Sequence, residues 1–243
     1  MSSNNTFSAM IFAAGLGTRF KPWTDQHPKA LAVINGKSLL QRNIEYLQQA
    51  GITDVVVNVH HFSNQILFAL EKNQGWGSNI TISDETDEVL ETGGGLKKAM
   101  PLFTTDNIVI INVDILTDLD LKKMIQFHLS ENPVATLAVT GRSTSRYFLF
   151  DEQSNLCGWR NVKTGEEKIS RQTAASVPKA FSGIHIVSKR LLLQIKQQGK
   201  FSMVDVYLDL AKTETIKGFD HSGSKFIDVG KPEAVATAEA LFP

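Results

Sequence analysis

The stretch Ala13-Ala14-Gly15-Leu16-Gly17-Thr18-Arg19, followed by Pro28-Lys29, decides the fold of this 243-residue chain. It directly follows an apolar run, residues 9–14, that is typical of a buried first strand. In a sheet of parallel strands, such a loop lies at the carboxyl edge, where ligands bind. The two glycines allow backbone N–H groups to approach a phosphate closely, and the arginine and lysine add fixed positive charge. The pattern therefore predicts a loop that can hold a triphosphate.

Two better-known phosphate-binding patterns do not fit this chain. The dinucleotide pattern G-x-G-x-x-G requires a glycine where Phe20 stands. Gly36-Lys37-Ser38 resembles the end of a P-loop, but Leu31 occupies the position of its first glycine. A tight strand-to-helix turn would explain the two glycines alone, but it leaves the arginine and the Pro-Lys pair unexplained.

The remaining pattern predicts one α/β domain over residues 1–243, built on a doubly wound, mostly parallel, Rossmann-like sheet. Apolar runs predict strands at 9–14, 55–59, 80–83, 108–113 and 136–139, and amphipathic periodicity predicts helices at 38–50, 64–72 and 121–129. Gly51 is expected to cap the first helix. These elements form a nucleotide-binding half, residues 7–141.

A smaller substrate-binding half is predicted over residues 142–243. Its expected strands are 147–150, 156–159, 184–187 and 226–229, and its expected helices are 190–197 and 203–212. A closing helix is expected to begin at Pro232, because proline suits the first helical position.

Composition excludes several classes of function. Lys plus Arg equal Asp plus Glu, 25 each, which argues against a nucleic-acid binder. The single cysteine, Cys157, permits neither an intrachain disulfide nor a cysteine-based zinc site. No apolar run approaches the roughly 20 residues that span a bilayer. Residues 1–8 lack the charged start and apolar run of a signal peptide, so a cytoplasmic location without a membrane partner is expected. The oligomeric state stays open.

Two aspartates qualify as metal ligands from their positions alone. Asp114 and Asp228 each follow an apolar run that predicts a strand. Mg²⁺ prefers one or two carboxylates completed by phosphate oxygens and water, so such a pair would suit it. Asp120 is better explained as the N-cap of the helix that follows it. The acidic run at Glu85, Asp87 and Glu88 is expected to be a solvated loop.

Four segments, in the right order, resemble the sugar-1-phosphate nucleotidylyltransferases. The glycine loop and its Pro-Lys pair are similar to that family's G-x-G-T-R and P-K signature. Leu90-Glu91-Thr92-Gly93-Gly94-Gly95 resembles the L-G-T-A segment that carries the nucleobase. Asn112-Val113-Asp114 resembles N-G-D, and Ile227-Asp228-Val229-Gly230 resembles D-[IV]-G, whose aspartates hold the metal. The resemblance runs through almost the whole chain.

This resemblance implies a fold, two substrates and a site. The fold is that of the nucleotide-diphospho-sugar transferases, and the substrates are a nucleoside triphosphate and a sugar 1-phosphate. Mg²⁺ is expected on Asp114 and Asp228, the leaving phosphates on Arg19, and the α-phosphate and attacking group on Lys29. The residues expected to bind the nucleotide are Ala13, Ala14, Gly15, Gly17, Thr18, Glu91, Thr92 and Gly93. Those expected to contact the sugar are Tyr147, Trp159 and Gly183. The N–H groups of the helix opened by residues 93–95 are expected to suit a polar ligand.

The chain departs from the family pattern in places that bear on its substrate. Glu91, Val113 and Phe148 stand where glycines are frequent, and the Glu-Lys-Pro segment that often contacts the sugar is absent. Glu91 and the phrase Val57-Asn58-Val59-His60-His61 look most like the N-acetylmuramate 1-phosphate uridylyltransferase branch, with mannose-1-phosphate guanylyltransferases close competitors. Two further readings stay open: a cytidylyltransferase acting on phosphocholine, and a non-catalytic regulatory subunit that binds nucleotide-sugars.

Overall fold

The computed structural model describes residues 7–243. The sequence predicts that residues 1–8 are not a signal peptide, and residues 1–6 of that segment lie outside the described residues. The strands are β1 (Phe7–Phe12), β2 (Val33–Ile34), β3 (Lys37–Ser38), β4 (Asp54–Val59), β5 (Asn79–Asp84), β6 (Asn107–Asn112), β7 (Ile115–Thr117), β8 (Ala135–Thr140), β9 (Arg146–Phe150), β10 (Leu156–Asn161), β11 (Glu167–Ile169), β12 (Val177–Ser188), β13 (Ile216–Asp220) and β14 (Phe226–Asp228). The helices are α1 (Leu39–Gln49), α2 (Ser63–Lys72), α3 (Glu91–Ala99), α4 (Leu121–Glu131), α5 (Lys189–Leu192), α6 (Met203–Leu210) and α7 (Ala234–Leu241).

The main sheet has ten strands, and its centre is parallel. Strands β5, β4, β1 and β6 are neighbours in that order and all pair in parallel. Beyond β6 the long strand β12 runs antiparallel and continues the sheet into β9, β10 and β11. The parallel pair β8 and β13 joins through β12 as well. This confirms the predicted α/β class with a largely parallel central sheet.

Helices cover both faces of the sheet, because side chains along a buried strand alternate between the two. On β1, Ala9 and Ile11 belong to a core shared with α1, α2, α4 and α7. Met10, between them, belongs to a second core shared with α3, α5 and α6. Strands buried on both sides therefore read as continuous apolar runs, which is the pattern that predicted them.

Helix ends follow the expected capping chemistry. Ser38 accepts a hydrogen bond from the N–H of Gln41 at 3.1 Å and caps the start of α1. Gly51, at φ +82°, donates to Gln48 O at 2.8 Å just after that helix, which confirms its predicted role. Asp120 accepts from the N–H of Lys123 at 3.1 Å and caps α4, also as predicted.

The main errors in the predicted helices and strands lie in the second half of the chain. The helix predicted at 190–197 ends at Leu192, and beyond its end Lys97 Nζ donates to Ile195 O at 3.1 Å and to Gln197 O at 2.6 Å. The short strand predicted at 184–187 is the twelve-residue β12, whose register with β8 shifts between Phe181 and His185. Strand β13 was not predicted, and the closing helix begins at Ala234 rather than at Pro232. In residues 7–243 no helix combines the length and hydrophobicity that a membrane crossing requires.

Candidate active site

A cavity of about 340 Å³ opens where β1, β4, β5 and β6 end. Such carboxyl edges are where α/β sheets bind ligands, because the loops leaving parallel strands converge there. The lining residues are Phe12, Ala13, Ala14, Gly15, Gly17, Thr18, Arg19, Lys29, Asn58, Glu85, Val89, Glu91, Thr92, Asn112, Val113, Asp114 and Gly230. The cavity thus brings together most of the residues that the sequence assigned to nucleotide binding, together with others that it did not, among them Asn58 and Glu85.

The glycine loop is held open by its shape and by a neighbouring strand. Gly17 has φ +60°, and a Cβ there would lie 2.8 Å from Thr24 Cγ2, so this position requires glycine. A Cβ on Gly15 would meet no atom within 4 Å, so Gly15 borders open space. The N–H groups of Ala13 and Ala14 both donate to Asn58 Oδ1, at 2.7 and 3.3 Å. These two N–H groups therefore position the loop.

Asn58 connects the loop to the segment after β5 through a buried carboxylate. Its Nδ2 donates to Glu85 Oε1 at 2.7 Å, and the N–H of Leu90 donates to Glu85 Oε2 at 3.3 Å. Glu85 is only 1% exposed, so the prediction of a solvated acidic loop is wrong for this residue. A sequence signal existed for Asn58, which is a polar residue in the apolar run of β4, next to its last residue, but none existed for Glu85.

Glu91 lines the cavity in a backbone conformation that suits glycine. Its φ is +59°, in the left-handed region, which costs a residue with a side chain roughly 1–2 kcal/mol. Its carboxylate lies 3.9 Å from Lys200 Nζ, and both side chains are about half exposed. This geometry gives a physical reason for the glycine that the resemblance places at this position.

Gly93 does not line the cavity, and its contacts are with Phe201. The N–H groups of Gly93 and Gly94 donate to Phe201 O at 2.9 and 3.3 Å. A Cβ on Gly93 would collide with the Phe201 ring. Thr92 Oγ1 accepts from the N–H of Met203 at 3.0 Å. The N–H groups of Gly93 and Gly94 in the first turn of α3 are therefore used within the protein, contrary to the expectation that they face a ligand.

The two candidate metal ligands lie side by side. Strand β14 pairs with β7, and the N–H of Val229 donates to Asp114 O at 2.8 Å, which brings Asp228 next to Asp114. The pKa of Asp228 is raised, first by partial desolvation and then by the Asp114 carboxylate, while Lys29 and Arg19 act in the opposite direction.

Two cations complete this charged group. Lys29 Nζ forms an ion pair with Asp114 Oδ2, and their side chains are only 11% and 18% exposed. Gly230 lets Arg19 approach Asp228, because a Cβ there would lie 2.7 Å from Asp228 Oδ1 and 3.1 Å from Arg19 Nη2. In the described residues no group of three or more histidines, cysteines or acids could hold a metal. Two carboxylates fit a Mg²⁺ ion that takes its other ligands from phosphate and water.

The three residues expected to contact the sugar lie outside the cavity lining. Tyr147 Oη accepts from the N–H of Thr144 at 2.9 Å, and Lys168 Nζ lies 5.6 Å from the Trp159 ring centroid. Gly183, at φ +71°, packs against the Asn112 side chain, and a Cβ there would lie 2.8 Å from Asn112 Nδ2. Gly183 thus supports a cavity residue from behind, and sugar binding by these three residues stays a prediction.

Comparison with known proteins agrees with this geometry. The Nucleotidyl transferase family model matches residues 8–242. The chain belongs to this family. The match confirms both the predicted resemblance and the predicted enzyme class, a transferase of nucleotidyl groups.

Individual relatives differ in what they act on. The chain is 28% identical to an N-acetylmuramate alpha-1-phosphate uridylyltransferase of Caulobacter vibrioides, over 96% of this chain and 95% of that protein. It is also 28% identical to a mannose-1-phosphate guanyltransferase of Yarrowia lipolytica, over 96% of this chain but only 63% of that longer protein. Among solved structures, HddC from Yersinia pseudotuberculosis complexed with GMP-PN superposes with a TM-score of 0.76 at 26% identity, covering 97% and 99% of the two chains.

Proposed function

We propose that this nucleotidyl transferase moves a nucleoside monophosphate from a nucleoside triphosphate to a sugar 1-phosphate and releases pyrophosphate. The observation that carries the proposal is the convergence of Arg19, Lys29, Asp114 and Asp228 at the glycine loop. Two cations beside two carboxylates can bind a triphosphate and a divalent ion together. The sugar 1-phosphate relatives support the acceptor class.

The proposed mechanism needs no nucleophile from the protein. A phosphate oxygen of the acceptor is already ionised at neutral pH and attacks the α-phosphorus in line, so catalysis consists of positioning and charge stabilisation. Arg19 would hold the leaving β- and γ-phosphates, and Lys29 the α-phosphate and the attacking group. Asp114 and Asp228 would hold Mg²⁺, which when bound neutralises phosphate charge. Asn58 keeps the glycine loop in place from behind.

The preferred substrate pair is UTP with N-acetylmuramate 1-phosphate, and the alternative is GTP with mannose 1-phosphate. The Caulobacter vibrioides relative, matched over nearly its full length, supports the first pair. The Yarrowia lipolytica relative supports the second.

A substrate grid tests both the reaction and the choice of pair. UTP, GTP, dTTP and CTP are each combined with several sugar 1-phosphates and with phosphocholine, and pyrophosphate release is measured with Mg²⁺. Turnover confined to UTP and N-acetylmuramate 1-phosphate is the expected result. A preference for GTP with mannose 1-phosphate would replace that pair, and turnover with CTP and phosphocholine alone would replace the acceptor class.

A non-catalytic regulatory role is the alternative from another class. It is disfavoured because a binding subunit has no need for two metal carboxylates beside two cations. Isothermal titration on the same preparation separates the two. Nucleotide binding without turnover for any pair in the grid would support the regulatory role and reject the enzyme.

A further inference from the structure

A cluster of buried polar side chains lies outside the nucleotide cavity, where β8 ends. In the described chain four buried side-chain polar atoms have no hydrogen-bond partner, and three belong to this cluster: Thr140 Oγ1, Arg142 Nε and His221 Nδ1. Thr140 and His221 are each only 5% exposed. They are neighbours, because the N–H of His221 donates to Val139 O at 2.9 Å. Since buried polar atoms are normally satisfied, their concentration marks a place suited to a polar group.

Arg142 is the charged member of this cluster, and its side chain is fixed between two strands. Its Nη2 donates to Phe181 O at 2.6 Å, at the irregular part of β12. Its guanidinium carbon lies 4.8 Å from the ring centroid of Phe226 on β14. These two contacts hold the planar group in one orientation.

The same contacts place the Arg142 charge beside a metal carboxylate. Phe226 and Asp228 are two residues apart on β14, so their side chains lie on the same face of that strand. A guanidinium over Phe226 is therefore next to Asp228. Consistent with this, Arg142 is among the cations close enough to act on the charge of Asp228.

Asp228 thus has two neighbouring arginines. Arg19 lines the nucleotide cavity, and Arg142 does not. In-line transfer requires the acceptor to approach opposite the leaving pyrophosphate. The acceptor phosphate brings further negative charge towards two carboxylates, so it needs a cation of its own. Three cations act on Asp228: Lys29, Arg19 and Arg142. Lys29 is paired with Asp114 and lines the nucleotide cavity, as does Arg19, so Arg142 is the cation of the three that is left for the acceptor.

We infer that Arg142 binds the phosphate of the acceptor, a phosphomonoester dianion, at the side of Asp228 that faces away from the nucleotide cavity. The inference rests on the proposed function and deepens it. A guanidinium presents a planar fork that matches two phosphate oxygens, and its partly buried setting strengthens that contact.

The test compares Arg142→Gln and Arg142→Lys with a matched control, Arg190→Gln. Arg190 also donates from Nη2 to a backbone carbonyl, Asn132 O at 3.2 Å, but it is exposed and belongs to α5. Titration calorimetry measures binding of N-acetylmuramate 1-phosphate and of inorganic phosphate, with and without a non-hydrolysable nucleotide and Mg²⁺. KM is measured for both substrates.

Arg142→Gln is expected to weaken acceptor binding and raise the acceptor KM by about tenfold or more, with nucleotide affinity unchanged within about twofold. Arg142→Lys should recover part of the loss, and the control should match the wild type. Unchanged acceptor affinity would overturn the inference. So would an equal loss of nucleotide affinity, which would make Arg142 only a support for Asp228.

The proposed function and this inference can fail separately. Wild-type protein that binds phosphomonoesters without turnover would reject the function, while a tenfold loss of that binding in Arg142→Gln would still support the inference. Wild-type protein that binds neither phosphate probe would overturn the inference. If calorimetric melting shows that Arg142→Gln is unfolded, Arg142→Lys decides, because it keeps the charge but loses the planar fork. An intermediate loss of acceptor affinity in that variant supports the inference, and wild-type affinity contradicts it.

Discussion

At the scale of single residues, the charge of Lys29 is the feature on which the proposed chemistry depends most directly. Lys29→Ala removes a preorganised donor from the site of charge development. The expected cost is on the order of 3 kcal/mol of barrier, or about a hundredfold or more in kcat. Steady-state kinetics with the best substrate pair from the grid measures it.

A second lysine provides the control for this substitution. Lys37 pairs with Glu45 at 2.6 Å, but both side chains are much more exposed, at 47% and 31%. Lys37→Ala should leave kcat within about twofold, because exposed pairs contribute little. A near-normal kcat for Lys29→Ala would contradict the role given to Lys29.

The sequence predicted the charged residues of the site better than the polar residues that position them. Arg19, Lys29 and Asp114 could be proposed because each lies in a short motif: the glycine loop after β1, the Pro-Lys pair that follows it, and the end of β6. Glu85 could not, because nothing in a run of acids distinguishes the buried one from its solvated neighbours. Its burial depends on Asn58, 27 residues earlier, and on the parallel pairing of β4 with β5.

At the scale of elements, the Asn58–Glu85 contact should join the glycine loop to the segment that follows β5. Asn58→Asp would place a second carboxylate against Glu85, which is 1% exposed, so a loss of at least about 2 kcal/mol in the free energy of unfolding is expected. Urea unfolding measures the loss.

Exchanging the carboxylate and the amide between the two positions provides the control. In the double variant Asn58→Asp/Glu85→Gln, the aspartate can accept from the loop N–H groups and from the new amide, so most of the lost stability should return. Nucleotide KM should recover with it. Additive losses in the double variant would show that the two side chains do not act through this contact.

The elements themselves were predictable where one local pattern determined them. The parallel strands near the N-terminus are apolar because both faces are buried, and the predicted strands there agree with the structure within two residues or so. The second half was harder, because β12 pairs with three strands at once and its length follows from those partners. Likewise, the segment after α5 is held by Lys97, which donates to the carbonyls of Ile195 and Gln197 from a distant part of the chain.

At the scale of the whole molecule, we propose that the chain unfolds as one unit. Strand β12 is hydrogen-bonded to β6 of the first half and to β9 of the second, so neither half keeps a complete sheet alone. The chain has three tryptophans: Trp23 and Trp76 report on the first half, and Trp159 reports on the second. Fluorescence of the Trp159→Phe variant follows the first half, and fluorescence of the Trp23→Phe/Trp76→Phe variant follows the second. When both urea unfolding curves are expressed as the fraction of protein unfolded, they should coincide. Two separated transitions would reveal two domains.

Stability of the whole molecule should also depend on pH through three buried histidines. Burial lowers the pKa of His185 to about 3 and the pKa values of His128 and His221 to about 4. In the unfolded chain a histidine titrates near 6.5, so on acidification the unfolded state binds protons first. The stabilisation is complete above about pH 6.5 and is lost as the pH falls towards 4.

Calorimetric melting between pH 7 and pH 5 measures this effect, and Tm should fall across that range. His128→Asn should flatten the dependence, because it removes one buried site of proton linkage. His61→Asn is the control, since His61 is exposed and should leave the slope unchanged. A Tm that does not vary over this range would show that these histidines are charged in the folded protein.

The backbone pairing of β12 also bears on how substrates enter. Enzymes with two lobes often open and shut about a flexible joint, and here the lobes are linked by a twelve-residue strand that is hydrogen-bonded to neighbours towards both of its ends. The irregular part of this strand lies between Phe181 and His185, where Gly183 has φ +71°. We therefore expect the lobes to move little against each other, and admission and release of substrates to depend on rim segments such as the exposed part of the glycine loop.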